Sequence, residues 1–281
     1  MNGFFNINKP FGISSAKVVW QIKKKFNLKA KIGHMGTLDP FATGVLVVGI
    51  GKANRLFNAM LKKRKTYVAV FEFGYQTDTL DLESENIVKR SEVIPKIADI
   101  LKVIPTFVGK SSQVAPDFSA KKVNGTRAYM LARSGEIADI KPHNIEIFRL
   151  DLLGQVSETA FKFEIECSAG TYIRSLGRDL SEKLGTVGTM IKLERTKCGE
   201  FDIANSQTVE NLEWSDLVGC DLVIPHLNKL ELNITQIQKI KNGQKLQIES
   251  SDGIFKVFDG DTIIGLAKVE NGFVTMPTWL V

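Results

Sequence analysis

The sequence predicts an α+β fold that ends in a small all-β module. Three observations predict it. Strand-like and helix-like apolar periodicities interleave from Gly3 to about residue 229. Two of the strand-like runs, Ile145–Val156 and Thr159–Cys167, are separated only by Ser157-Glu158, as in paired strands. From Leu230 onward the turn signals Asn242-Gly243, Ser251-Asp252-Gly253, Asp259-Gly260-Asp261 and Asn271-Gly272 punctuate short apolar runs. The expected division is therefore a large domain over 1–229 and a β-module over 230–281.

Taken in order, Gly3–Asn8 alternates as a strand that Lys9-Pro10-Phe11-Gly12 ends. Ser14 or Ser15 caps a helix with Val18, Val19, Ile22 and Phe26 inward and Lys17, Lys23, Lys24 and Lys25 on the wet side. The stretch Gly33–Gly44, with three glycines and a proline, is too rich in breakers for a helix or regular strand and reads as a shaped loop. Val45-Leu46-Val47-Val48 follows as a short buried strand. Lys52–Leu61 reads as a helix with Leu56, Phe57 and Met60 inward, and Lys65–Tyr75 as a long strand. Gln76–Asp81 is a polar turn. Ser91 caps a helix to about Val103, with Val93, Ile97, Ile100, Leu101 and Ile104 apolar.

A polar, Pro- and Gly-bounded excursion over 113–125 leads into a short helix, Ala128–Arg133, ended by Gly135. The segment from Phe118 to Arg133 is expected to be mobile without a ligand. Thr171 caps a helix to about Leu184, which Gly185 stops. Met190–Leu193 and the residues after it form a further strand.

The formal net charge is +6 and is unevenly spread. Residues 1–65 carry thirteen Lys and Arg against one acid, Asp39 in the glycine-rich loop. Residues 205–281 carry six Lys against ten acids. This distribution points to a polyanion meeting one half of the protein. The three cysteines are odd in number and lack CxxC spacing, so neither a disulfide framework nor a zinc site is expected. No apolar run reaches a membrane span and no signal peptide is visible; the expected location is cytoplasmic.

The loop lacks GK[ST] or GxGxxG placed after a strand, and no serine sits in a nucleophile elbow. His34 and Asp39 complete no metal set with His143 and His226. Asp39 remains either a turn-former or a lone catalytic carboxylate. A carboxylate can attack an anomeric carbon, and a sugar–base bond in RNA offers one once the base is flipped onto an aromatic platform. Arg174, at a helix start, could keep Asp39 ionised, and Tyr67, after a basic run, could be the platform. Against this, Tyr67 could be core and Arg174 a surface residue.

The loop Gly33-His34-Met35-Gly36-Thr37-Leu38-Asp39-Pro40-Phe41-Ala42-Thr43-Gly44 resembles that of the bacterial TruB-type tRNA pseudouridine synthases. Asn8–Gly12, Lys65-Thr66-Tyr67, Gly74–Thr79, Phe118-Ser119-Ala120-Lys121 and Gly170–Leu176 follow in that family's order. The resemblance implies a mixed, largely antiparallel catalytic sheet and a PUA-like β-module. It implies a monomer that converts uridine 55 in the T-arm stem-loop of tRNA to pseudouridine, without cofactor or metal. Asp39 matches the catalytic aspartate, Tyr67 the tyrosine stacked on the uracil and Arg174 the arginine paired with the aspartate. Tyr172 and Leu193 match pocket-lining positions, and His34 a histidine against flipped-out bases. Lys9 and Lys121, within two of the motifs, are expected to contact RNA. Met35, Phe118 and Ala169 depart from the usual pattern, which implies altered RNA affinity before lost catalysis. Two other readings fit parts of the same sequence: an RNA-folding protein, which would need the lysines and not Asp39, and a guide-RNA-dependent synthase.

Overall fold

A computed structural model describes residues 2–119, 121–123, 125–136 and 139–281. Its spine is a sheet whose strands follow the order Gly3–Lys9, Thr43–Ile50, Gly188–Cys198, Lys65–Phe73, Ala160–Cys167, His143–Gln155, Gly109–Gln113. Ile32–His34 pairs with Thr43–Ile50, and Phe201–Asp202 with Gly188–Cys198. Neighbours run antiparallel except Thr43–Ile50 beside Gly188–Cys198, which is parallel. The sheet is mixed and largely antiparallel, as expected.

The parallel pair matters most for function. It places Gly44 beside Arg195, and Arg195 lies opposite Tyr67. One row across three strands therefore joins the end of the glycine-rich loop to Arg195 and Tyr67. Only glycine fits the first position: φ at Gly44 is +97°, and a Cβ there would lie 2.3 Å from the Arg195 carbonyl oxygen.

Helix Ser15–Lys25 buries Val18 and Ile22 against the sheet, and helix Ile173–Lys183 buries Ile173, Leu176 and Leu180. The second helix lies very close to the strands, with Gly177 facing the buried ring of Phe71. All three cysteines are buried and free. Among the described residues no helix is long and apolar enough to cross a membrane.

A second sheet has the order Lys229–Leu230, Gly253–Asp259, Thr262–Glu270, Phe273–Trp279, Leu246–Gln247. The expected all-β module also holds a helix, Ile234–Lys241, started by a reciprocal capping box between Asn233 and Gln236. Its two buried apolar residues, Ile237 and Ile240, are too short a pattern to stand out among strand signals.

Several elements differ from expectation. Lys52–Leu61 divides into a 3-10 turn over Gly51–Leu56 and a short helix Phe57–Leu61, with Phe57 exposed rather than inward. The long strand stops at Phe73, because Gly74 turns with φ +106°, and the supposed polar turn opens with strand Tyr75–Thr77, paired with Ile87–Arg90. That pairing delays the next helix to Ile97–Val103, which has no side-chain cap and leaves Val93, Ile97 and Leu101 exposed. The 173–183 helix is capped at Tyr172 without a side chain, while the Thr171 hydroxyl donates to the Ser168 carbonyl. The Lys25 ammonium is not turned to solvent alone; it donates to the carbonyls of Val209 and Glu210. Of the 118–133 excursion, Ala120 and Asn124 lie outside the described residues, as do Ile137 and Ala138 beyond it.

Candidate active site

The glycine-rich loop is held from several sides through its backbone. The buried Ser15 hydroxyl donates to the Leu38 carbonyl (2.8 Å) and accepts from the Leu38 N–H (2.9 Å), tying the loop to the first turn of the 15–25 helix. The Gly12 N–H and the Lys9 ammonium both donate to the Pro40 carbonyl. Arg195 donates to the carbonyls of Gly36, Thr37 and Val45, bridging the loop's two ends. The Phe41 N–H donates to the Glu83 carboxylate at 3.1 Å. Asp39 thus stands on a loop whose polar groups are largely paired, the condition for a fixed carboxylate.

Arg174 meets it from the helix start. Its Nη2 donates to Asp39 Oδ2 at 3.0 Å and to the Phe118 carbonyl at 3.2 Å. Its Nη1 donates to the Thr79 carbonyl at 3.1 Å and pairs with Asp81 Oδ2 at 3.2 Å. Asp81 is fully buried and also accepts from the Thr79 hydroxyl (2.7 Å) and the Glu83 N–H (2.9 Å). Burial pushes its carboxyl upward, against the pull of Arg174. Leu80, between these two Arg174 partners, has φ +64°, a left-handed geometry that strains a leucine and aims both neighbours at the guanidinium. Arg174 is therefore a buried group and not a surface helix residue.

The Asp39 side chain is 37% exposed while that of Arg174 is 8%. The carboxylate faces a cavity of about 1020 Å³ that Tyr67, Tyr172, Leu193 and Arg195 also line. Burial pushes the Tyr67 hydroxyl up to about 12, with Arg195 opposing, so Tyr67 is a neutral phenol near pH 7. It is both core and cavity wall, which reconciles the two readings of that residue. Tyr172 is held by Gln113, which accepts from its N–H (2.9 Å) and donates to its carbonyl (3.1 Å). Burial raises the Tyr172 hydroxyl as well, against the pull of Ser119.

The remaining expected residues lie apart from the cavity lining. His34 is half-buried, and burial and Arg195 lower its pKa, which favours the neutral ring. The Lys121 ammonium donates to the Lys141 carbonyl. Lys9 is a correction. It is fully buried, donating to Pro10, Ile13 and Pro40 carbonyls, so it supports the loop from beneath and offers RNA no contact. Nothing in the local sequence marks Asp81, Glu83 or Arg195, and Ser15 stands out there only as an alternative helix cap to Ser14. Asp81 closed what looked like a solvated turn, and no spacing rule pairs it with an arginine 93 positions later.

The model of the TruB family pseudouridylate synthase N-terminal domain matches residues 23–173. A tRNA pseudouridine synthase B of Ehrlichia chaffeensis is 37% identical, over 98% of this chain and 97% of that protein. A second, from Thermosipho melanesiensis, is also 37% identical, over 96% and 92%. A solved Cbf5–Nop10–Gar1 complex contains a chain that superposes with a TM-score of 0.73 at 23% identity, covering 99% of this chain and 85% of its own. That last likeness concerns the fold.

Proposed function

The chain belongs to the TruB family of pseudouridylate synthases, and from that premise we propose that it isomerises uridine 55 in the T-loop of tRNA to pseudouridine. Its full-length relatives support pseudouridine formation in tRNA as the activity. The single observation carrying the site assignment is the Asp39–Arg174 pair, 3.0 Å apart, opening on a cavity walled by Tyr67 and Leu193. The guanidinium holds the carboxylate at 3.0 Å, and the loop fixes its position.

In this reading the uridine leaves its stack and the uracil enters against Tyr67, with Tyr172 and Leu193 bounding the pocket. Asp39 acts on the flipped nucleotide to promote cleavage of the N1–C1′ bond. The uracil turns, C5 bonds to C1′, the C5 proton leaves and N1 gains one. The isomerisation balances without a redox partner or co-substrate, so the reading needs no cofactor or metal. His34 packs against the displaced bases, and Lys121 borders the RNA path. The catalytic domain is 1–229, the 230–281 module is PUA-like, and the enzyme works as a cytoplasmic monomer on the T-arm alone.

The test is pseudouridine mapping on a bare tRNA transcript. The native protein should modify uridine 55 unaided, which a guide-dependent enzyme would not. Asp39→Asn should abolish turnover and leave T-arm binding within about two-fold; appreciable turnover by this variant would remove Asp39 from the chemistry.

A further inference from the structure

We propose that Glu83 is a positioning residue for Asp39: its carboxylate grips the backbone of the catalytic loop and closes a ring of contacts around the active carboxylate. The inference rests on Asp39 being the reactive group. The ring can be followed atom by atom. The Phe41 N–H donates to Glu83 Oε1 at 3.1 Å. The Glu83 N–H donates to Asp81 Oδ1 at 2.9 Å. Asp81 Oδ2 meets Arg174 Nη1 at 3.2 Å, and Arg174 Nη2 meets Asp39 Oδ2 at 3.0 Å. From Asp39 two peptide units, through Pro40, return to Phe41.

The geometry gives Glu83 a distinct task. Arg174 restrains only the side chain of Asp39, and a side chain held at its tip can still travel with its backbone. Phe41 is two residues away, and Pro40 between them has no N–H to offer. The Phe41 N–H is thus the next donor after Asp39 by which the loop can be tied to the 77–83 turn. That turn also carries Asp81, so one element sets both the loop backbone and the arginine that orients the carboxylate.

Glu83 is exposed and lines the cavity, beside Asp39. A second carboxylate at the mouth of a site for a polyanion repels phosphate, so its charge is adverse to binding. Its usefulness lies in accepting the hydrogen bond. Charge and acceptor can be separated by substitution, and an exposed position lets the variants fold.

The experiment is steady-state kinetics on a T-arm stem-loop, with thermal melts of each variant. Glu83→Ala removes the acceptor and the charge. Its kcat should fall about ten- to a hundred-fold, the scale of losing loop registry, with KM unchanged or lower. Glu83→Gln keeps a carbonyl acceptor and loses the charge; it should recover most of kcat and show a lower KM than the native enzyme. An Ala variant with kcat within two-fold of native overturns the proposal. So does a Gln variant that loses as much kcat as Ala. If Ala melts below the assay temperature, Gln decides alone by whether kcat is kept. Asp39→Asn, run alongside, separates the two ideas: turnover there would sink the reading of Asp39 itself, whatever Glu83 does.

Discussion

At Lys9 an ammonium group is enclosed by three carbonyl oxygens, from Pro10, Ile13 and Pro40. Burial lowers its pKa to about 8, although Asp39 and Glu83 pull it back up. The sign of the stability effect follows. Below about 8 the amine is charged whether the chain is folded or not. Between about 8 and 10.5 the unfolded chain holds a proton that the folded chain has shed. Stability from this group therefore rises with pH across that window and is flat below it. Melting temperatures of the native protein relative to Lys9→Met should climb from pH 8 to 10 and run parallel below pH 8. A difference that stays constant to pH 10 would mean the amine is solvated. The same scale explains why Asp81 matters: an ion pair this buried holds Arg174 only while Asp81 is ionised.

Among the elements, helix 173–183 decides where Arg174 lies, and its depth is set by a glycine. A Cβ on Gly177 would meet Cε1 of Phe71 at 2.4 Å and Cδ1 at 2.6 Å, and that ring is fully packed. Gly177→Ala must push the helix from the sheet, which should cost about 1–3 kcal/mol. Arg174 is one turn earlier and moves with it, so kcat should fall as well. Urea denaturation with matched m-values, together with single-turnover rates, checks both. An unchanged urea midpoint would show that the helix has room the geometry denies it. The N-terminus of the helix is secured by Gln113 from the Gly109–Gln113 strand, not by a hydroxyl cap of its own.

For the whole molecule the governing quantity is the distribution of charge. Residues 1–65 hold thirteen basic side chains against one acid, which the glycine-rich loop carries. Of the helix lysines, Lys23 and Lys24 are exposed, whereas Lys25 is committed to the Val209 and Glu210 carbonyls. A Lys23→Glu, Lys24→Glu double variant should weaken T-arm binding at least about ten-fold at low salt and flatten the dependence of log K on log salt. Its kcat at saturation should stay near native. Filter binding from 50 to 300 mM salt, beside turnover at saturation (about the range in which counterion release is read), makes the comparison. An undiminished salt slope would move the RNA path off this helix. Residues 230–281 carry five Lys against six acids, so this module adds no net basic charge to that of the first 65 residues.

Much of this was legible in the chain itself. The period-two run Lys65–Phe73, the 3.6-period face of Ser15–Lys25 and the breakers of Gly33–Gly44 are local signals, set by backbone sterics and burial. They fix the elements and expose Asp39 as a lone acid in a basic field. Local signals failed where tertiary pairing overrode them. Tyr75–Thr77 became a strand because Ile87–Arg90 was available, and the Asn233–Lys241 stretch became helical within a β-module. Lys9 lies in a motif that implies RNA contact, and only packing shows it buried under the loop. The Asp39–Arg174–Asp81 cluster joins residues up to 135 positions apart. Its formation depends on the parallel contact between Thr43–Ile50 and Gly188–Cys198 and on the depth of one helix. Residue type and spacing determine which groups can do chemistry; distance in space, which no local pattern encodes, decided which of them meet.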